Sequence, residues 1–232
     1  MGGLRVYREL LANRPLARLL VGEFVSGIGD WLYIVAIFVV IYEQSGDPIL
    51  VGAFGAVRLI PYALLSVPAG IVADRFDRRL VLLVSDLIRG GLMLVLAALS
   101  ILEAPAVAVA AVAVLAACGS TFFYPAMSAY LPSLVEDERQ LGPANSLNAN
   151  LGEIGYILGP ALGGLLLLVG SVTLAFVANA LTFVVIAAIL WRLPPSYARP
   201  RTSAESAPEP TPEPTAQPTA EPTAGTMLAV VT

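Results

Sequence analysis

Six stretches of nearly unbroken apolar residues run through the chain, at about 16–42, 49–73, 80–102, 104–131, 144–169 and 172–191, separated by short polar connectors. Each is at least as long as the roughly 20 residues a helix needs to cross ~30 Å of hydrocarbon. The apolar positions do not alternate as they would in barrel strands. Helix is then the state that pairs every backbone polar group within its own segment. The first run is too long for a signal-peptide core and lacks a convincing cleavage site, so it counts as a span. From about Pro194 the hydrophobicity collapses into "APEPTPEPTAQPTAEPTAGT". This Pro/Thr/Glu/Ala run has no apolar face to bury and is expected to be disordered and extended. The pattern predicts an all-α membrane protein with three parts. These are an N-terminal segment (1–15), a six-helix transmembrane bundle (16–193) and a tail or truncated interdomain loop (194–232).

Composition agrees with that assignment. Of 232 residues, 57% are hydrophobic and 13% charged, about half the charge of a soluble domain. Mean hydropathy is +0.81. There is no histidine and a single cysteine, Cys118. An intramolecular disulfide framework is excluded, and no metal set or G-x-S-x-G nucleophile is present. The expectation is a protein that is not an enzyme, with no cofactor, no bound metal and no nucleic-acid partner.

Charge orients the spans. All 13 basic residues are arginine. Eleven lie on one set of connectors: Arg5, Arg8, Arg14 and Arg18; Arg75, Arg78 and Arg79; Arg139; and Arg192, Arg199 and Arg201. The other set carries Glu43, Asp47, Glu103 and Gly170-Ser171, with no arginine. The positive-inside rule predicts both termini and the DRFDRR loop on the cytoplasmic side of the cell membrane.

Six charges fall inside spans: Glu23, Asp30, Arg58, Asp86, Arg89 and Glu153. Unrelieved, they would cost on the order of 15 kcal/mol on the insertion scale. They must therefore pair, protonate or line a wet cavity. Asp86 and Arg89, three apart, share a helix face and predict a structural ion pair. Glu23 and Asp30, two turns apart, share a face with Ser26 and Gly27 between them. Asp30, Arg58 and Glu153 reach similar depths, near the middle of their spans. A net acidic cavity would attract cations and let a carboxylate take up a proton. Asp30 and Glu153 are the candidate couplers, with Arg58 as the fixed countercharge. A static pair of Arg58 with one acid is the alternative. Asn145 and Asn179 are candidate polar contacts, since a buried amide in lipid needs a helix or substrate partner.

Two motifs resemble a known family. The order Gly70, Val72, Ala73, Asp74, Arg75, Arg78, Arg79 is similar to the loop 2–3 signature of the major facilitator superfamily, G-x-L-A-D-R-x-G-R-[RK]. Val72 stands for Leu and Asp77 for the second Gly. Gly70 leaves room for a neighbouring helix, Asp74 can face a helix N-terminus, and the arginines can bind carboxylates or lipid phosphates. In the family this loop latches onto the other half of the carrier, which implies a gating role for Gly70, Asp74, Arg75, Arg78 and Arg79. "GYILGPALGG", with Gly155, Gly159, Pro160, Gly163 and Gly164, resembles the helix 5 pattern of superfamily antiporters. "SGIGDWLY", "SDLIRG", "FFYPAMSAYLPSLV" and "NALTF" resemble the branch of siderophore and macrolide exporters. The resemblance, over roughly residues 10–195, implies the N-terminal six-helix half of a secondary active efflux carrier. Such a carrier exchanges protons for a small amphipathic molecule, such as a drug or siderophore. It needs a second six-helix half, from a missing C-terminal part, a separate chain or another copy. Span 4 lacks the arginine that many drug–proton antiporters carry there. A non-transporting membrane scaffold derived from a half-carrier is the alternative function.

Overall fold

The computed structural model describes residues 3–135 and 137–196. The predicted tail from residue 197 onward, with Arg199 and Arg201, lies outside the described residues. Eight α-helices follow one another: α1 (Gly3–Ala12), α2 (Arg14–Ser45), α3 (Pro48–Val57), α4 (Ile60–Arg75), α5 (Arg78–Ile101), α6 (Ala106–Tyr130), α7 (Leu141–Val169) and α8 (Val172–Trp191). Short 3-10 turns at Leu131–Leu134 and Glu138–Gln140 link α6 to α7. Six segments are long and apolar enough to cross a membrane: α2, α3 with α4, α5, α6, α7 and α8.

Helix ends follow local chemistry. Asn13, Asp47, Asp77 and Ser171 each cap a helix by accepting a backbone N–H with the side chain. Gly46, at φ 62°, closes α2 in the left-handed region, and its N–H donates to the Tyr42 carbonyl. The "GDP" triplet 46–48 thus stops one helix and starts the next. The N-terminal segment contains a feature absent from the sequence reading: α1 is a separate amphipathic helix that buries Leu10. Asn13, just after it, donates through Nδ2 to the Leu134 carbonyl at 2.7 Å.

The second span is broken. Between α3 and α4, Tyr62 N–H bonds the Leu59 carbonyl at 3.1 Å, three residues back. Pro61 has no N–H to give the Val57 carbonyl, and its ring crowds that turn. Arg58 sits at this break.

The packing order has internal symmetry. α2 packs on α7 and α8, α6 packs on α4 and α5, and α5 packs on α8. Exchanging the first three spans with the last three maps this pattern onto itself. Each set holds an odd number of spans, so the two sets run inverted, as in transporter repeats. Lipid tails give no hydrophobic drive for helix pairing, so close approach through small residues carries the contacts. A Cβ on Gly29 would collide with Asn179 and Thr182 of α8, one on Gly159 with Trp31 of α2, and one on Gly90 would crowd Phe183 of α8 at 3.1 Å.

The end of the bundle that carries the chain's start is tied by long-range bonds. Arg78 donates to the Ala129 carbonyl at 3.2 Å and Arg79 to the Leu193 carbonyl at 2.7 Å. The Tyr130 hydroxyl donates to the Pro194 carbonyl at 2.7 Å. Buried Asp77 accepts the Ser196 N–H at 3.0 Å while capping α5 through Arg79 N–H.

Candidate functional site

Five of the six spans wall a cavity of about 340 Å³, at the small end of ligand-site volumes. The first span supplies a stripe in alternating steps of three and four: Leu20, Glu23, Gly27, Asp30 and Ile34. That spacing keeps one face of a long helix toward the centre. α6 contributes Ala117, Ser120, Tyr124 and Met127 with the same stepping, and α7 adds Asn148, Gly152 and Gly155. Arg58, Tyr62 and Arg89 complete the charged and aromatic lining.

Arg89 is the electrostatic centre. Its guanidinium pairs with Asp86 one turn earlier and reaches Asp30 of α2 at 3.2 Å. The rings of Phe123 and Phe183 lie 4.6 and 4.4 Å from its Cζ, so cation–π attraction adds to the ion pairs. Gly119 makes space for the stem: a Cβ there would stand 3.1 Å from Arg89 Cγ. Asp86 is fully buried and Arg89 is 4% exposed. Asn179, fully buried on α8, donates Nδ2 to Asp30 at 3.4 Å and accepts from Thr182 Oγ1 at 3.0 Å.

The sequence-predicted residues separate into groups. Glu23, Asp30 and Arg58 line the cavity, and Asn179 supports Asp30 from behind. Glu153 does not join them; it is exposed and outside the lining. It lies two residues from both Leu151 and Gly155, roughly 200° around α7 from each. Asn145 is also exposed and outside the lining, a turn short of Asn148. The base on Asp30 is Arg89, whereas Arg58 was expected there. Arg58 sits at the helix break with no ion pair or side-chain hydrogen bond among the described residues, and its Nε is buried without a partner there. Asp86 and Arg89 touch as a pair, but within a triad that includes Asp30.

The glycine motif of α7 divides by depth. Gly155 faces the cavity, whereas Gly159 and Gly163 abut Trp31 and Val35 of α2. Pro160 lies inside the helix, and open space surrounds Gly164. In the gating loop, Asp74 and Arg75 are exposed, and nothing lies within 4 Å of a Cβ at Gly70. Arg78 and Arg79 bind carbonyls of this same bundle.

Sequence reasoning missed Asp77 as a buried hub and Arg89 as the partner of Asp30. The second had a signal: Leu82, Asp86, Arg89, Met93 and Leu96 step by four and three along α5, and all are buried. The charged pair therefore sits on the inward stripe.

The sequence matches the family model described as Major Facilitator Superfamily over residues 19–229. Similar proteins include the uncharacterized MFS-type transporter YfiS of Bacillus subtilis (strain 168), 29% identical over 78% of this chain and 43% of that protein. A protein provisionally named bacilysin exporter BacE, of Bacillus amyloliquefaciens, is 35% identical over 77% of this chain and 44% of its own length. Macrolide efflux protein A of Streptococcus pyogenes is 31% identical over 62% of this chain and 36% of its length. The chain spans less than half the length of these curated relatives.

Proposed function

The chain belongs to the Major Facilitator Superfamily, and on that premise we propose that it forms one half of a secondary active efflux carrier. Its cavity is one wall of the translocation path. The observation that carries this reading is the charged cavity itself: Glu23 and Asp30 of the first span, Arg58 of the second and Arg89 of the third converge inside an otherwise apolar bundle. Ionisable groups at membrane depth are expensive, and they mark substrate or ion pathways. The relatives' names, which include a macrolide efflux protein and a bacilysin exporter, support export of a small organic molecule.

Asp30 is the proposed coupling residue. It lies at the middle of α2, half-exposed to the cavity, and its counter-ion is Arg89, shared with Asp86. Protonation of Asp30 would release its share of Arg89 and change the field that a substrate meets. A second six-helix half would close the path. The second and fifth spans are 11% and 17% buried, against 39% or more in the other four, so their faces are the ones left to be covered. The arginine-rich connectors support an orientation with both termini on the cytoplasmic side of the cell membrane.

The test is transport in proteoliposomes holding the full chain, alone and with a complementary six-helix half. An imposed pH gradient is expected to drive movement of at least one member of a panel of amphipathic fluorescent dyes, cationic and zwitterionic, and Asp30→Asn is expected to abolish it. Absence of gradient-driven movement in both preparations would reject the carrier reading.

A further inference from the structure

The cavity holds two charges that the protein leaves unused. Arg89 and Asp30 satisfy each other, and Asp86 completes their triad. Glu23 and Arg58 have no such partners among the described residues. Glu23 Oε1 and Arg58 Nε are both buried without a hydrogen bond, and no ion pair joins the two side chains. Both nevertheless line the same cavity, one from the first span and one from the break in the second. Burying an ion without a partner is costly, and an opposite charge that bonds to it recovers much of that cost. The lining carries two acids and two bases, Glu23 and Asp30 against Arg58 and Arg89. With Asp86 counted beside Arg89 the surroundings are net acidic, but the two groups left outside the triad are of opposite sign, so a plain cation would leave Arg58 uncompensated and a plain anion would leave Glu23 so.

We propose that the ligand is a zwitterion, with its ammonium on Glu23 and its carboxylate on Arg58. The proposal rests on the carrier reading and names the substrate class for that same cavity. A guanidinium fork matches a carboxylate through two parallel bonds, and a carboxylate oxygen accepts from an ammonium. Phe24, Tyr62 and Tyr124 supply aromatic surface for the chain between the two charged groups. Because Glu23 and Arg58 do not reach each other, a ligand with well-separated charges fits better than an α-amino acid.

An ω-amino acid series measures this directly. The full chain in phosphatidylcholine nanodiscs is titrated calorimetrically with glycine, 4-aminobutanoate, 6-aminohexanoate and 8-aminooctanoate. Hexylamine and hexanoate serve as the single-charge controls. One chain length is expected to bind best, at least about tenfold tighter than either control, since each charged hydrogen bond contributes that much. Glu23→Gln is expected to reduce the best zwitterion to the affinity of hexanoate while leaving hexanoate binding intact, which shows that the variant is folded. Arg58→Gln is expected to reduce it to the affinity of hexylamine and leave hexylamine binding intact. Equal binding of hexylamine and the best zwitterion, or no binding of any probe, would overturn the proposal. So would affinities indifferent to Arg58→Gln. Each of those results leaves dye transport as a separate readout, so failure here and failure of the carrier reading can be told apart.

Discussion

Arg89 and Asp30, fifty-nine residues apart in the chain, meet at 3.2 Å between the third and first spans. The contact turns what would be a local Asp86–Arg89 pair into a clamp between helices. Arg89 is also flanked by Phe123 of the fourth span and Phe183 of the sixth. One side chain thereby ties four spans.

Removing that side chain should be severe. Arg89→Met leaves Asp86, fully buried, and Asp30 without a base. Breaking one side of a buried ion pair costs about 3–5 kcal/mol. The unfolding midpoint in detergent should fall accordingly. Adding Asp86→Leu to the variant should restore part of the loss, because a well-packed apolar pair can replace a buried ion pair.

Asp77→Ala tests the hub at the other end of the third span. Asp77 accepts from Arg79 N–H and Ser196 N–H, both at 3.0 Å. Loss of a helix cap costs about 0.5–2 kcal/mol, and loss of a bond to a charged group about 1.5–3 kcal/mol. Amide exchange at Ser196 and Arg79 should accelerate, while exchange at the middle of α5 changes less. Uniform protection across the variant would count against this role.

The spans were legible because a bilayer demands long apolar helices, and five of the six predicted ranges lie within a few residues of observed elements. The sixth differs in kind. The run 49–73 is continuous in hydropathy, yet Pro61 splits it into α3 and α4. The family resemblance was equally readable, since loop motifs are short strings at fixed places. Side-chain partnerships were harder. Depth along a span follows from counting residues, and depth alone put Asp30, Arg58 and Glu153 at one level. Direction around the helix decides contact, and Glu153 points away from the cavity side of α7. Asp77 looked like a departure from a glycine pattern; its role appears only when the chain after α8 returns to meet it.

Two glycines of one motif should respond differently to the same change. A Cβ on Gly159 would collide with Trp31, whereas nothing lies within 4 Å of a Cβ on Gly155. Gly159→Ala must push Trp31 off its edge-on contact with Tyr156, whose ring centroids are 4.7 Å apart. Overpacking of this kind costs about 1–3 kcal/mol. Gly155→Ala should leave the midpoint unchanged or raise it slightly, since alanine favours helix. Tryptophan fluorescence should shift for the first variant only.

Glu153 stands two residues short of the middle of α7, exposed and without a partner among the described residues. A bare carboxylate on a lipid-facing surface would be opposed by about 2.5–3.5 kcal/mol of insertion cost. A covering half with a polar group opposite it would remove that cost. Two measurements on Glu153→Leu separate these cases. In a membrane-insertion assay of the fifth span alone, the substitution should favour insertion by about that amount. In co-purification of the chain with a complementary six-helix half, the same substitution should weaken association, because the polar contact across the interface is lost. Improved insertion with unchanged association would mean that Glu153 faces lipid in the assembled protein and that the fifth span is not the covered face.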